Sequence, residues 1–262
     1  MAATAVLSSR DVPTTLNYYT PTAAGKPYHY VEEPPAGKPK TNVGQEPHSV
    51  LIHNARGRED EFGLDKSGFQ FVKWPSVERE FDDEERIKSV YYPEVEELLK
   101  RSRGQSASLS STTLSGARSP KGQGQRAEPR ARATGPHRPD VQCKRRARQA
   151  SPPEDADRLL KSRVRIINVW RPIHHPVAHF PLAVSDWRHL DEKDLVPSDL
   201  IYPTRTGGTY STPEAVTLIK CYDSEEDRAR LTPHSAFADE SSPADAPHRE
   251  SIEIRALVFD SE

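Results

Sequence analysis

Cysteine is almost missing from this sequence. The two present, Cys143 and Cys221, cannot build a disulfide framework in a chain of 262 residues, which points to a reducing compartment. No run approaches the roughly eighteen apolar residues that a membrane-spanning helix needs. Residues 1–20 lack a basic segment followed by an apolar one, so no secretory leader is expected. Strong charge of one sign is also absent: the formal net charge of −2 gives no field to attract nucleic acid or an anionic membrane. These absences lead to the expectation of a cytoplasmic protein with neither nucleic-acid nor membrane partners. Apolar residues are scarce at 34%, and prolines number 24, so a core forms only if part of the chain stays outside it.

What is present divides the chain into three parts. Residues 1–101 hold short extended pieces rich in Pro, Gly and Thr, then a strand-like run at 48–57. A turn and strand follow over 60–75, with Phe69, Phe71 and Trp74. Residues 82–101 have helical character: acidic residues lead, Lys100 and Arg101 close, and Pro93 divides the stretch by opening a second helix with Val95, Leu98 and Leu99 on one side. Residues 102–151 contain almost no large apolar side chains and are dense in Arg, Ser, Gly, Gln and Pro. Such a stretch cannot bury enough surface to offset its ordering entropy, so disorder is expected there. Residues 152–262 return to order, with a short helix over 152–162 and strands at 163–170, 215–222 and 252–259. Many strands with few helices predict an α+β, β-rich jelly-roll-like core with flanking helices.

One pattern carries chemistry. His234 lies in TPHSAF, and HRESIEIRALVF follows with Arg249, Ser251 and Arg255. Non-haem Fe(II) oxygenases hold iron with two histidines and one carboxylate. A planar guanidinium can grip the distal carboxylate of their 2-oxoglutarate co-substrate bidentately, and a hydroxyl adds a further hydrogen bond. Taken alone, the pattern is better read as a solvated loop histidine and a strand-edge arginine in an ion pair.

The blocks NVWRPI, PLAVSDWR, DLVPSDLIYP, LIKCYDS, TPHSAFAD and HRESIEIRALVF appear in order, preceded by TLNYYTP, NARGRED, FGLDKSGFQFV and SVYYPEVEELLK. In these the chain resembles the fungal AsaB-type hydroxylase/desaturase family, which includes a gibberellin desaturase; some members are labelled methyltransferase-like. The resemblance implies an oxidoreductase acting on a small-molecule secondary metabolite with Fe(II) and 2-oxoglutarate. It makes His234 the distal iron ligand, Arg249 and Ser251 the co-substrate clamp, and Arg255 a secondary clamp. Asn168, Trp170 and Arg171 are family-typical and are assigned packing.

The sequence also departs from that family. A Phe-Asp-His-Thr-Ile-Arg-Arg block and a Val-His-x-Asp-Gln-Thr block, the second supplying the other two iron ligands, are both missing, and the Arg/Ser-rich stretch stands in their place. The genetic code lets them reappear. Starting each codon of 108–117 (SLSSTTLSGA) one base earlier permits Val-Ala-Val-Phe-Asp-His-Thr-Ile-Arg-Arg. Starting each codon of 135–140 (GPHRPD) one base later permits Val-His-Ile-Asp-Gln-Thr. Residues 102–151 are therefore expected to be out-of-frame translation. An Asn-Pro and His-Arg-Trp block is likewise missing around 209–213.

His189-Leu190-Asp191 is an in-frame His-x-Asp, but its charged surroundings predict a solvated loop. His174, His175 and His179 are read as exposed imidazoles in a proline-rich turn, and Cys221 as a small core residue. Two other functions stay open: a catalytically inactive relative or mis-annotated gene product, and a non-enzymatic interaction protein working through its middle segment.

Overall fold

The computed structural model describes residues 10–21, 27–30, 33–102, 109–118, 159–195, 199–201 and 216–260. In chain order the strands are β1 (Val12–Pro21), β2 (Tyr28–Tyr30), β3 (Val43–Ile52), β4 (Phe69–Val72), β5 (Leu109–Arg118), β6 (Val164–Pro172), β7 (Leu182–Val184), β8 (Asp199–Ile201), β9 (Val216–Asp223), β10 (His234–Ala236) and β11 (Ser251–Asp260). The helices are α1 (Glu84–Arg86) and α2 (Tyr92–Arg101), with a π-turn over Ile87–Tyr91 between them.

Five strands form the main sheet in the order β4-β9-β6-β11-β5, and every neighbouring pair is antiparallel. A small antiparallel β7–β10 sheet carries His234, paired with Val184. The architecture is the β-rich, jelly-roll-like core that the strand pattern predicts.

Alternation along β11 sorts its side chains to two faces. Ile252, Ile254, Ala256 and Val258 join Ile167 and Val169 of β6 and pack against Val95, Leu98 and Leu99 of α2. Each fully buried leucine at that junction contributes about 1.5–3 kcal/mol. The opposite face is apolar at one end, where Leu257 and Phe259 meet Val164 and Ile166. Its other end carries the polar residues of the site.

Proline shapes the helix as the sequence predicts. Pro93 lies in the first turn of α2, where its missing N–H costs nothing. The preceding π-turn is closed by the Tyr92 N–H donating to the Ile87 carbonyl.

Two features differ from the sequence reading. Residues 109–118, expected to be disordered, form edge strand β5, in register with β11 from Ile252↔Arg118 to Phe259↔Ser111, after which the register shifts to Asp260↔Leu109. Edge pairing uses backbone groups, which the composition of LSSTTLSGAR does not remove, and Thr favours strands. The rest of 102–151 beyond Ser102 and this strand lies outside the described residues, as does most of the helix expected over 152–162. The N-terminal pieces are also longer than expected, since β1 and β3 pair over their full lengths from Val12↔Ile52 to Pro21↔Val43.

The loop before β4 fixes the path toward β10. Gly68 has φ +85°, and a Cβ there would meet Thr232 Oγ1 at 2.2 Å and the Leu231 carbonyl at 2.8 Å. Gly68→Ala is therefore expected to cost about 1–3 kcal/mol through overpacking alone, read as a lower urea midpoint with an unchanged m-value. An unchanged midpoint would show that the 231–232 backbone relaxes freely.

Candidate active site

Register places the polar residues of β11 on one face with those of β6. Glu253 pairs with Trp170, and Arg255 with Asn168. Arg255 Nε donates to Asn168 Oδ1 at 2.8 Å, and Asn168 is fully buried. Ser251 is buried at the start of the same strand. Arg249 lies just before it and donates through Nη1 to the Phe180 carbonyl at 2.9 Å. Ser251 and Arg255 thus lie on β11, with Arg249 just before it.

Glu253 is the member of this face that the sequence reading left out. Its half-buried carboxyl is pushed up to about 7; burial drives the shift, and Arg255, Asn168 and Arg249 oppose it. The alternation Ser251-Ile252-Glu253-Ile254-Arg255 was the signal available for finding it. Asn168, assigned to packing, instead orients the Arg255 guanidinium.

His234 is held in one tautomer. It is buried, and its Nδ1 lies 2.8 Å from the Thr232 carbonyl. Burial first, and the Arg255 charge second, lower its pKa to about 4, against the Thr232 contact, so the ring is neutral near pH 7. A carbonyl only accepts, so Nδ1 carries the proton and Nε2 keeps its lone pair. Fixing one ring nitrogen by a backbone carbonyl is how metal-ligating histidines are commonly held. The carbonyl belongs to a segment tied to the main sheet, since the Thr232 N–H donates to the Lys220 carbonyl at 2.8 Å.

The histidines of the proline-rich turn and of the in-frame His-x-Asp serve local structure. His174 bridges Glu250 through Nδ1 at 2.5 Å and the Glu80 carbonyl through Nε2 at 2.8 Å, which secures the segment carrying Arg249. His175 contacts the Pro176 carbonyl at 3.0 Å, and the His179 ring lies 6.0 Å from that of His248. His189 and Asp191 are exposed. The Asp191 carboxylate caps a 3-10 turn by accepting from the Lys193 N–H at 3.1 Å, and it also pairs with Lys193 Nζ at 2.5 Å. The in-frame His-x-Asp is thus a surface turn. The Cys221 thiol is pushed up to about 11, mainly by burial, which suits an inert core residue.

Among the described residues, no three of His, Cys, Asp and Glu come together in a way that could hold a metal ion. His234 therefore fits iron as one ligand, and the described residues do not complete a facial set of three.

A family model described as "YDMC: Oxidoreductase/YMDC permease-like domain" matches residues 16–259. The hydroxylase/desaturase efuI of Hormonema carpetanum is 33% identical over 296 aligned positions, covering 98% of this chain and 97% of that protein. The chain belongs to the fungal AsaB-type hydroxylase/desaturase family. Another relative in this family, the Fe(II)/2-oxoglutarate-dependent dioxygenase nvfI of Aspergillus novofumigatus, is 31% identical, covering 88% of this chain and 90% of its own. A solved structure of the iron and alpha-ketoglutarate-dependent endoperoxidase NvfI superposes with a TM-score of 0.77 at 27% identity, covering 97% of this chain and all of that one. The resemblance read from the ordered blocks is thereby borne out, and so is the fold it implied.

Proposed function

We propose that the protein is an oxidoreductase of the Fe(II)/2-oxoglutarate type, a hydroxylase or desaturase of a small-molecule secondary metabolite, working in the cytoplasm. The observation that carries this reading is the polar end of β11. There Ser251 and Arg255, with Arg249 just before them, lie in a chain whose buried neutral His234 has its Nδ1 proton held by the Thr232 carbonyl. Relatives named for this chemistry align over nearly the whole length. No described helix is long and apolar enough to cross a membrane.

When bound, iron and 2-oxoglutarate supply O₂ activation and hydrogen abstraction from substrate carbon. In this reading the chain's own residues bind and orient. His234 offers Nε2 to the metal. Arg249, Ser251 and Arg255 hold the co-substrate carboxylate. Asn168 fixes the Arg255 fork, and Trp170 with the apolar end of the face keeps water out. The other two ligands are proposed to be encoded between codons 130 and 145 in another frame. A genomic read whose three frames all lack a Val-His-x-Asp-Gln-Thr block there would end that part of the proposal.

The reading is tested on a chain carrying the restored segments. Arg249→Ala is expected to raise KM for 2-oxoglutarate at least ~30-fold, the low end for truncating a buried charge partner, with Fe(II) affinity unchanged. An unchanged KM would remove Arg249 from the clamp. A second reading, a catalytically inactive relative, is favoured by the lack of any metal-holding group of three among the described residues.

A further inference from the structure

The co-substrate face contains one ionisable group that the chemistry above does not use. Glu253 lies between Ser251 and Arg255 on β11 and faces Trp170 across β6. The titratable and charged groups acting on this face come from four elements. Arg255 is on the same strand, and Arg249 lies just before it. Cys221 on β9 is held neutral by burial. His234 on β10 is neutral near pH 7 and feels Arg255. The β5 positions in register with Glu253 and Arg255 are Ala117 and Ser115, neither ionisable. Among the described residues, Glu253 is thus a carboxyl on this face that competes with an incoming anion for the Arg249 and Arg255 charges.

An ionised Glu253 would occupy the field of Arg249 and Arg255 and repel a carboxylate arriving there. A protonated Glu253 would leave both positive charges to the ligand and could donate a hydrogen bond to it. Arg255 Nε donates to Asn168 Oδ1 at 2.8 Å on this same face. We propose that Glu253 is a positioning residue of the anion pocket, taking up a proton when a dicarboxylate such as 2-oxoglutarate binds beside Arg249 and Arg255. This rests on the reading of that face as the co-substrate site. Burial already brings the carboxyl to about 7. The sign follows: a raised carboxyl pKa keeps the group protonated below neutrality, so anion affinity is full there and falls as pH rises above it.

The test is calorimetric titration of the full chain with 2-oxoglutarate at pH 6, 7 and 8, in two buffers of different ionisation enthalpy. Both ligand carboxylates are ionised across that range, so the ligand contributes no step of its own. A group titrating near 7 makes Kd about tenfold weaker at pH 8 than at pH 6, with net proton uptake on binding. Glu253→Gln is expected to abolish both the uptake and the pH dependence. Glu253→Asp, which keeps an ionisable group, is expected to retain them. Binding whose Kd is flat from pH 6 to 8, or proton uptake that persists in Glu253→Gln, would overturn the role of Glu253 and leave the pocket standing. No binding at any of the three pH values would overturn both the pocket and the role.

Discussion

Asp223→Ala is expected to destabilise the fold by about 3–5 kcal/mol, the range found when one partner of a buried ion pair is removed. Lys220 is fully buried, and its Nζ lies 2.6 Å from Asp223 Oδ2 and 2.7 Å from Asp65 Oδ1. Arg163 adds Nε at 3.0 Å to Asp223 Oδ1 and Nη1 at 3.1 Å to Asp65 Oδ2. Removing Asp223 leaves the buried Lys220 with only Asp65, which is partly exposed and is shared with Arg163 and Arg228. The network ties β6 and β9 to the loop before Gly68, and through Thr232 to the strand carrying His234, so the loss should reach the site. Asp227→Ala is the control. Asp227 is exposed and pairs only locally with Arg228, and such changes usually stay within about 0.5 kcal/mol. Urea melts of both variants check this; equal midpoints would show that the network contributes nothing net. The same cluster sets acid sensitivity. Burial raises the Asp65 carboxyl, but Arg163 and Lys220 outweigh it and hold the group well below the usual range. Its contribution is therefore complete above the unfolded pKa of about 3.9 and is lost as pH falls below that value.

The second large effect concerns metal. In a chain with the restored segments, His234→Ala is expected to weaken Fe(II) or Co(II) binding by more than ~100-fold. Losing even an outer-shell partner of a ligand costs about 10–100-fold, and a direct ligand should exceed that. Anaerobic metal titration reads the effect. Unaltered affinity would mean that the imbalance built at His234 Nδ1 by the Thr232 carbonyl serves the core and not a metal.

Much of this fold is legible in the residues. Strands β6 and β11 show themselves through apolar residues that alternate with polar ones, and α2 shows itself through Pro93, its acidic lead and Val95, Leu98 and Leu99. The ribbon of β1 and β3 is less legible, because TTLNYYT and GQEPHSV are half polar and gain their strand form from pairing with each other. Strand β5 is illegible for the opposite reason to a core strand: an edge asks only for backbone groups, and LSSTTLSGAR offers no side-chain pattern to read. At the site, Arg249, Ser251 and Arg255 could be named from HRESIEIR, but the importance of Glu253 could not. Its carboxyl is raised by burial against β6, a consequence of tertiary packing. His234 needed the family resemblance to stand out; its fixed tautomer depends on the Thr232 carbonyl, which only the fold brings to Nδ1.

The central claim is that this chain carries the co-substrate face and one iron ligand of an Fe(II)/2-oxoglutarate oxygenase, with the other two ligands out of frame. Succinate formation from 2-oxoglutarate, measured side by side in the chain as it stands and in a chain with the 102–151 segment and the Asn-Pro/His-Arg-Trp block restored, tests it most directly. Succinate is expected only from the restored chain. Succinate from the chain as it stands, abolished by His189→Ala, would contradict the account and make His189 and Asp191 the true ligand pair.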